Sequence, residues 1–500
     1  MPQSSLDDHT RPHKTFRFLP MLCLLTLFLT LGSSGAWAAN ARYIVVFREG
    51  TLLTVQERIV ALSGATIVQR LPLVNAIAIE LPLENSILSP LLSLTQSALN
   101  FLLNRLEVVA VESDAPISIA SETSTSGSAQ GGLIAAANTP PQTEGGYTWN
   151  LHQIDLDVVD RNVDGRLVEI AVLDTGIDPS HPRLAGVVVD GYNALARENP
   201  ANYRDHHGHG THVAGIIAAA AGLPYTPQVM RGVAPQAHLY AVRVLDDAGG
   251  GHVSDLVNGL SWVFRHPTIR VVNMSVGFYE GSLALKRAVK LLYNAGVVMA
   301  ASAGNCDMVA ASSEGGESEG GESEGGESEG GESTTSVQGC QGAKPKYPAV
   351  YPETIAVGAT NVYLNIAYYS ITGPHVDLVA PGGSRRTRQV LSTTTTTGST
   401  AASRVAASEG GESEGGESEG GESATSMNAG LYGWASGTSQ AAPHVTGIVA
   451  LMRSVNPLLT PATVLRILQE TTLPLNAPKE AQGAGLVNAP RAIAKAKLWR

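Results

Sequence analysis

The sequence predicts an α/β fold: a mostly parallel sheet with helices on both faces, preceded by a small α+β unit. From about Tyr147 onward, apolar segments with the length of strands alternate with segments of helical spacing, which is the pattern of repeated βα units. The segment Leu167–Asp174 is an almost continuous apolar run, as expected for a strand that is buried on both faces. Ligands of such sheets bind at the carboxyl ends of the strands, so we expect a functional site there.

The chain begins with a segment that has the features of a secretory signal peptide. Basic residues up to Arg17 precede the apolar run Phe18–Leu31, and Ala36 and Ala38 have the spacing of a small-x-small cleavage site. The apolar run is shorter than the about 20 residues that a membrane span requires. We therefore predict a signal peptide over residues 1–38, secretion to the extracellular space, the periplasm or the cell surface, and no stable membrane anchor after cleavage.

Residues 39–115 have the pattern of a small α+β domain. Strand-like segments and two segments of helical spacing follow one another in the order βαββαβ, which is the ferredoxin-like arrangement. Residues 116–146 are rich in Ser, Thr, Gly, Pro and Ala and lack sustained periodicity, which predicts an exposed linker. The alternating strands and helices of the main domain then extend over residues 147–495.

Two low-complexity runs, residues 313–333 and 408–423, interrupt the main domain with a repeated Ser-Glu-Gly-Gly-Glu unit. They offer no apolar side chain to bury, so we expect them to be disordered surface insertions. Fourteen of the 44 acidic residues lie in these runs, which leaves 30 acidic residues against 33 basic ones. The rest of the chain is therefore close to neutral, and we expect no binding to nucleic acid.

Cysteine usage agrees with secretion. Cys23 lies in the predicted signal peptide, which leaves Cys306 and Cys340 as an even pair in an oxidising compartment. They are a possible disulfide. The sequence does not place their Cα atoms, however, and two unpaired buried thiols are the alternative.

The stretch DHHGHGTH concentrates four histidines, His206, His207, His209 and His212. His209 follows a glycine and precedes a helical segment, a position that suits a catalytic base. A zinc site would need two histidines on one helical face together with a glutamate, as in H-E-x-x-H, and no acidic residue follows here. We therefore predict no metal site. Asp174, at the end of the apolar strand, is either a buried carboxylate that needs a partner or the cap of a turn.

Ser439 lies at the start of a helical segment that has Pro443 in its first turn, where proline is tolerated. A hydroxyl in this place meets unbonded N–H groups and the positive end of the helix dipole, which favour a developing negative charge. The serine is therefore a candidate nucleophile, with simple capping of the helix as the alternative.

The segments around these residues, VLDTGID at Asp174, GHGTHVAG at His209 and GTSQAAPHVTG at Ser439, resemble the three signatures of the subtilisin-like serine proteases. They occur in that family's order, and the resemblance covers nearly all of residues 147–490 outside the acidic runs. It implies a subtilisin-like fold with Ser439 as the nucleophile, His209 as general base and then acid, and Asp174 orienting His209. Of the other histidines, His212 is then expected to be structural, and His206 and His207 are expected to be exposed. Asn305, in AASAGN, would supply the side-chain donor of the oxyanion hole.

The resemblance also implies a substrate site and a zymogen. Two segments would hold an extended peptide as an added strand, and a third precedes Asn305. These substrate-binding residues are Gly249, Gly250, Gly251, Ser275, Val276, Gly277, Ala301, Ser302, Ala303 and Gly304. Residues 39–115 are similar to the inhibitor-type propeptide of the family, so we expect self-processing within residues 116–146. The expected partners are protein or peptide substrates and the chain's own propeptide, acting as an inhibitor.

No cofactor is expected to be required. Members of the family often bind calcium through an Asp in an HPDL segment, but this chain reads HPRL, with Arg183 at that position. The usual calcium site is therefore expected to be absent, and a different calcium site stays open.

Two other functions also stay open. One is a non-catalytic binding or adhesion protein on a protease scaffold, whose usual mark is the loss of a triad or oxyanion residue. The other is a peptide ligase that uses the same triad. The sequence retains all four catalytic residue types, which favours a secreted serine endopeptidase.

Overall fold

The computed structural model describes residues 41–81, 92–119, 134–135, 148–220, 230–306, 340, 342–395 and 431–499. The predicted signal peptide and both acidic runs lie outside the described residues, as does most of the predicted linker. Within the described segments, no helix combines the length and the apolar composition that a membrane crossing requires.

Residues 41–81 and 92–113 form an antiparallel sheet with two helices, in the βαββαβ order that the sequence indicates. The elements are β1 (Ala41–Phe47), α1 (Leu53–Leu62), β2 (Thr66–Leu71), β3 (Ala76–Leu81), α2 (Leu92–Leu103) and β4 (Val108–Ser113), with a 3₁₀ turn at Pro72–Val74. The order across this N-terminal sheet is β2-β3-β1-β4. One face packs on the two helices through a cluster that includes Val45, Ile79 and Leu102.

The main domain is built on a seven-stranded parallel sheet. The strands that follow β4 are β5 (Pro116–Ile119), β6 (Ile134–Ala135), β7 (Glu169–Asp174), β8 (Val188–Asn193), β9 (His238–Arg243), β10 (Gly250–His252), β11 (Ile269–Met274), β12 (Val276–Gly277), β13 (Val298–Ser302), β14 (Ile355–Thr360), β15 (Leu378–Pro381), β16 (Val390–Thr393) and β17 (Tyr432–Ala435). The order across the parallel sheet is β15-β14-β13-β11-β7-β9-β8, and neighbouring strands are parallel throughout. This topology confirms the predicted α/β class.

Helices cover both faces of the parallel sheet. They are α3 (Trp149–Gln153), α4 (His209–Ala218), α5 (Val253–Phe264), α6 (Leu283–Asn294), α7 (Thr438–Val455), α8 (Pro461–Thr471), α9 (Lys479–Gln482) and α10 (Ala489–Leu498), with a 3₁₀ turn at Leu156–Val158. Successive side chains of a strand point to opposite faces. Ile170 and Val172 of β7 accordingly pack in the cluster that holds α4, α7 and α10, whereas Ala171 and Leu173 pack in the cluster that holds α5 and α6. Both faces of β7 are therefore buried, as its apolar run predicts.

The second face of the N-terminal sheet packs against α5 and α6. Ile44 and Ala78 of this sheet lie in the same buried cluster as Leu260 of α5 and Leu285 of α6. The N-terminal sheet and the main domain therefore share one hydrophobic core, which lies on the α5 and α6 side of the parallel sheet.

Two stretches of the segment predicted to be an exposed linker form strands, so that prediction was wrong at these places. β5 lies between β10 and β12 and is antiparallel to both. β6 pairs with β17, which in turn pairs with β16. Both stretches are too short to show a period of their own. β5 becomes a strand because two other segments present their backbone groups to it, and β6 becomes one because β17 does.

Candidate active site

Asp174 and His209 meet at the carboxyl edge of the parallel sheet. Asp174 ends β7 and is fully buried, and His209 begins α4. His209 Nδ1 lies 2.7 Å from Asp174 Oδ1, which also accepts a hydrogen bond from the Thr175 amide at 2.8 Å. This approach requires Gly210, because a Cβ at that position would clash with the carbonyl oxygen of Gly176. The glycine after His209 thus allows the start of the helix to reach the end of the strand.

The surroundings raise the pKa of His209 above its ordinary value of 6.5. Burial by itself favours the neutral ring, but the charge of Asp174, the hydrogen bond to it and the charge of Asp205 outweigh burial. The ring can therefore take up a proton at Nε2 more readily than an isolated buried histidine could. Nε2 is itself buried and has no hydrogen-bond partner among the described residues.

Asp205 supports this pair and was not singled out in the sequence. Its carboxylate is fully buried and accepts hydrogen bonds from three amides and two hydroxyls. The donors are the amides of His207, Gly208 and Thr211 and the hydroxyls of Thr175 and Thr211. The carboxylate thereby fixes the start of α4, where negative charge also meets the positive end of the helix dipole. An acidic residue just ahead of a glycine-led helix was the signal that could have identified it.

Ser439 is the second residue of α7 and is fully buried. Its hydroxyl donates to the carbonyl oxygen of Ser275 at 3.2 Å, and the Ser275 hydroxyl donates to the carbonyl oxygen of Ser439 at 2.9 Å. Asn273 Nδ2 in turn donates to Ser275 Oγ at 2.9 Å. This reciprocal pair attaches the start of α7 to the end of β11. α7 also packs against α4, so the helices that begin at Ser439 and His209 are neighbours, although no hydrogen bond joins Ser439 Oγ to His209 Nε2.

Asn305 is held with its amide in one orientation. It is buried, and its Oδ1 accepts hydrogen bonds from Thr438 N at 3.0 Å and from Thr438 Oγ1 at 2.8 Å. The same hydroxyl lies 3.2 Å from the donating amide of Gly304. Because the amide oxygen faces the residue before Ser439, the NH₂ group is the end of this side chain that can donate to a ligand.

The substrate-binding segments predicted at Gly249–Gly251 and Ser275–Gly277 flank β5. Gly250, Gly251 and His252 pair with residues 118, 117 and 116, and the Ile119 amide donates to the carbonyl oxygen of Gly249 at 3.3 Å. On the other side, Val276 pairs with Ile119 and Gly277 with residue 118. β5, a segment of the chain itself, therefore lies as an added strand in the groove between the edges of β10 and β12.

The third predicted segment, Ala301–Gly304, consists of the last two residues of β13 and the two residues that follow. Ala301 lies opposite Met274 in the parallel register, so this segment and Ser275–Gly277 leave neighbouring strands at the same edge. Its side chains are buried, and Ser302 Oγ has no hydrogen-bond partner among the described residues. Every predicted substrate-binding residue thus lies at the edge that carries Asp174.

The other histidines of the cluster have different surroundings. His212 is fully buried, where burial lowers its pKa to about 3, and its Nε2 faces the carbonyl oxygens of Val390 and Gly433. His206 is exposed. His207, which the sequence led us to place on the surface with His206, is half buried, and its ring lies 6.4 Å from that of His209. That part of the prediction was wrong, because Gly249, the residue just before β10, lies close to the ring of His207.

A disulfide joins Cys306 and Cys340, whose Cα atoms are 6.3 Å apart. Both ends are attached to the segment that follows β14: the Cys306 amide donates to the carbonyl oxygen of Tyr369, and the Cys340 amide donates to that of Ser370. Cys306 directly follows Asn305, so this attachment holds the chain immediately after the amide that faces Thr438.

Arg183 stands at the position where the family resemblance implies an aspartate for calcium binding. Its Nη1 donates to the carbonyl oxygen of Ala220 at 3.1 Å, and its Nε donates to the hydroxyl of Tyr432 at 3.4 Å. A guanidinium supplies donors and positive charge, whereas calcium requires oxygen ligands and negative charge. The residues at this position therefore do not fit a calcium ion. Elsewhere in the described segments, no group of three or more His, Cys, Asp or Glu side chains is arranged to hold a metal.

Removal of divalent cations is expected to leave the structure around Arg183 unchanged, because the guanidinium already provides the positive charge there. Millimolar EDTA should shift the melting temperature by less than about 2 °C, whereas Arg183→Met should lower it by about 2–4 °C through the loss of about 1 kcal/mol of hydrogen bonding. Thermal melts monitored by circular dichroism would measure both shifts. A large loss of stability in EDTA that calcium restores would contradict this expectation.

Residues 165–485 match the sequence model of the subtilase family. Subtilisin E of Bacillus subtilis (strain 168) is 35% identical over 324 residues, which cover 65% of this chain and 65% of subtilisin E. The subtilisin of Bacillus pumilus is 35% identical over 324 residues, which cover 65% of this chain and 90% of that relative. The minor extracellular protease Epr of Bacillus subtilis (strain 168) is 30% identical over 313 residues, 62% of this chain and 36% of that protein.

A solved structure agrees with the fold. The crystal structure of fervidolysin from Fervidobacterium pennivorans, a keratinolytic enzyme related to subtilisin, aligns with a TM-score of 0.63. The alignment covers 91% of this chain and 61% of that chain at 24% sequence identity. At this identity the likeness establishes a subtilisin-like fold and no more.

Proposed function

The chain belongs to the subtilase family, and from this membership we propose that it is a secreted serine endopeptidase made as a self-processing zymogen. The observation that carries the proposal is the buried Asp174–His209 pair, 2.7 Å apart, at the same sheet edge as Ser439 and Asn305. Export is supported by the signal-like residues 1–38. The substrates proposed are extended segments of proteins or peptides.

In the proposed reaction, Ser439 Oγ attacks the carbonyl carbon of the scissile bond while His209 Nε2 takes the hydroxyl proton. The carbonyl oxygen becomes an oxyanion that accepts hydrogen bonds from Asn305 Nδ2 and from the Ser439 amide. The His209 imidazolium, stabilised by Asp174, then gives its proton to the leaving nitrogen as the C–N bond breaks. Water repeats the two steps on the acyl-enzyme and releases the carboxylic acid product.

We propose that the N-terminal sheet is the inhibitory propeptide and that β5 marks its exit toward the nucleophile. β5 runs antiparallel to β12, with residue 118 opposite Gly277 and Ile119 opposite Val276. If this register continues by one residue, position 120 stands opposite Ser275, whose carbonyl oxygen accepts from Ser439 Oγ. The bond next to the nucleophile is then the one between Ala120 and Ser121.

Self-processing is therefore expected at Ala120–Ser121. N-terminal sequencing of the mature protein should begin at Ser121 as the first product, before any later trimming of the linker. A matched test is Ala120→Pro, which should slow this cleavage strongly because a proline cannot donate the amide that an added strand requires. An N-terminus that lies outside residues 116–146, or unchanged cleavage in the proline variant, would contradict the proposed register.

Two carboxylates of the propeptide cap helices of the main domain. Glu112 accepts hydrogen bonds from the amides of Leu283 and Ala284 at the start of α6, at 2.7 and 3.1 Å. Asp114 accepts from the amide of Ser254 at the start of α5, at 2.8 Å, and pairs with Arg42 of the propeptide at 2.8 Å. Helix N-termini favour such carboxylates, so these contacts should hold the cut propeptide in place.

Loss of both caps should shorten the lag between self-cleavage and the appearance of activity. The double variant E112Q/D114N is expected to release the propeptide about 10–100-fold faster, since each cap contributes about 1 kcal/mol. The lag in hydrolysis of a chromogenic peptide would measure the release, with Ser113→Ala, exposed on the same strand, as the control. An unchanged lag in the double variant would show that other contacts hold the propeptide.

A further inference from the structure

A single lysine lies across the space between two substrate-binding segments. A Cβ placed on Gly304 would lie 2.8 Å from Lys346 Cδ, and one placed on Gly277 would lie 3.0 Å from the same carbon. The alkyl chain of Lys346 therefore packs against both segments at once. The next residue, Tyr347, pairs its backbone with Phe278 just beyond β12, which fixes the position of the lysine.

Lys346 is buried by its neighbours, with only 8% of its surface exposed. Its Nζ lies 4.8 Å from the centre of the Tyr279 ring. In the part of the chain that the structure describes, no carboxylate lies within ion-pair distance of this ammonium. A buried cation without an opposite charge is costly, and an aromatic face compensates only in part.

The space that Lys346 crosses adjoins the reacting bond. In a substrate paired as β5 is paired, the residue after the one opposite Val276 stands opposite Ser275, beside Ser439. Its side chain then enters between Ser275–Gly277 and the segment that ends at Gly304, which directly precedes Asn305. This is the side chain on the amino side of the scissile bond.

We propose that Lys346 determines the specificity of this pocket, so that the enzyme prefers an acidic side chain before the scissile bond. This inference rests on the proposed peptidase function. The alkyl chain of Lys346 shortens the pocket and excludes large aromatic side chains, and its ammonium attracts a carboxylate and repels Lys or Arg. The alanine at position 120 is small enough to enter without contacting the ammonium, which suits a segment that must leave after cleavage.

The test compares peptides that differ only in the residue before the scissile bond: Glu, Gln, Ala, Phe or Lys. The self-processed enzyme should cleave the Glu peptide with a kcat/KM about tenfold or more above that of its neutral isostere Gln, and should cleave Lys and Phe peptides poorly. Lys346→Met keeps most of the length of the side chain without its charge, so the Glu-to-Gln ratio should fall to about one. Lys346→Gly should also admit Phe and raise kcat/KM for that peptide at least about tenfold.

Lys344→Met is the matched control, because it removes the same charge from an exposed lysine two residues away and should keep the Glu-to-Gln ratio. A ratio near one in the unmodified enzyme, or an unchanged ratio in Lys346→Met, would overturn the role of Lys346 while leaving the peptidase function in place. The peptidase function itself fails only if none of the peptides is cleaved, which also overturns this inference.

Discussion

Ser439→Ala should abolish hydrolysis of every peptide and leave the chain uncut at Ala120–Ser121. The substitution removes one hydroxyl from a buried, well-packed position, so the fold should persist while the nucleophile is lost. A decrease in kcat of about 10⁶ is expected, which is the size of the loss that the equivalent change causes in a subtilisin. The kcat that remains would come from direct attack of a bound water on the peptide bond.

Active-site titration, peptide hydrolysis and gel mobility of the chain would measure this loss. His209→Ala should cost about as much as Ser439→Ala, because the nucleophile and its base act as a unit. His206→Ala serves as the control, since His206 is exposed and should leave the rate within about twofold. Processing and activity that persist in Ser439→Ala would contradict the proposed mechanism.

Asp174→Asn should have the second largest effect, with kcat reduced by about 10⁴ at neutral pH. The carboxylate accepts a hydrogen bond from the Nδ1–H group of His209, which leaves Nε2 unprotonated and ready to act as a base. An amide of the same shape can instead donate to Nδ1, which places the proton on Nε2 and removes the base. The burial of both groups keeps the geometry intact, so the loss should appear in kcat far more than in the melting temperature.

The pH dependence of kcat/KM is a second test of the contact between Asp174 and His209. His209 must be neutral to act as a base, so activity rises as the pH passes upward through its pKa. Because Asp174 and Asp205 together raise that pKa, the acid limb of kcat/KM should lie above pH 6.5. In Asp174→Asn, the negative charge that raises the pKa of His209 is removed, while the burial that lowers this pKa remains. The acid limb of the residual activity should therefore lie at lower pH. An unshifted acid limb in this variant would mean that another group controls it.

The elements that the sequence predicts well are those with a period of their own. The run at Leu167–Asp174 indicates a strand buried on both faces, and the structure packs its alternate side chains into two separate cores. The segments around Asp174 and His209 are equally readable, because a strand that ends in an aspartate and a helix that begins at a glycine-flanked histidine each have a local sequence pattern. The parallel sheet and the edge that carries the site were therefore predictable.

What could not be predicted depends on contacts between distant segments. The four residues of β5 carry no pattern that separates them from the linker, and they form a strand only between two other strand edges. Asp205 and Lys346 are similar cases, since the first accepts hydrogen bonds from the start of α4 and from Thr175, and the second contacts two glycines that are apart in sequence. His207 is half buried for the same reason, because a glycine loop from another βα unit lies against it.

In the proposed peptidase, the position of β5 between two strand edges also limits which proteins can be cleaved. Neighbouring strands lie about 4.8 Å apart, so a chain that enters this groove has to be extended and must give its hydrogen bonds to both sides at once. A helix, or a strand already paired within its own sheet, has to open locally before it fits. The rate at which a folded protein is cut would therefore follow the free energy of that local opening, by a factor of about ten for each 1.4 kcal/mol. Cutting of native proteins would then concentrate in frayed termini and loose loops, and the protease would act as a probe of the conformational fluctuations of its substrates.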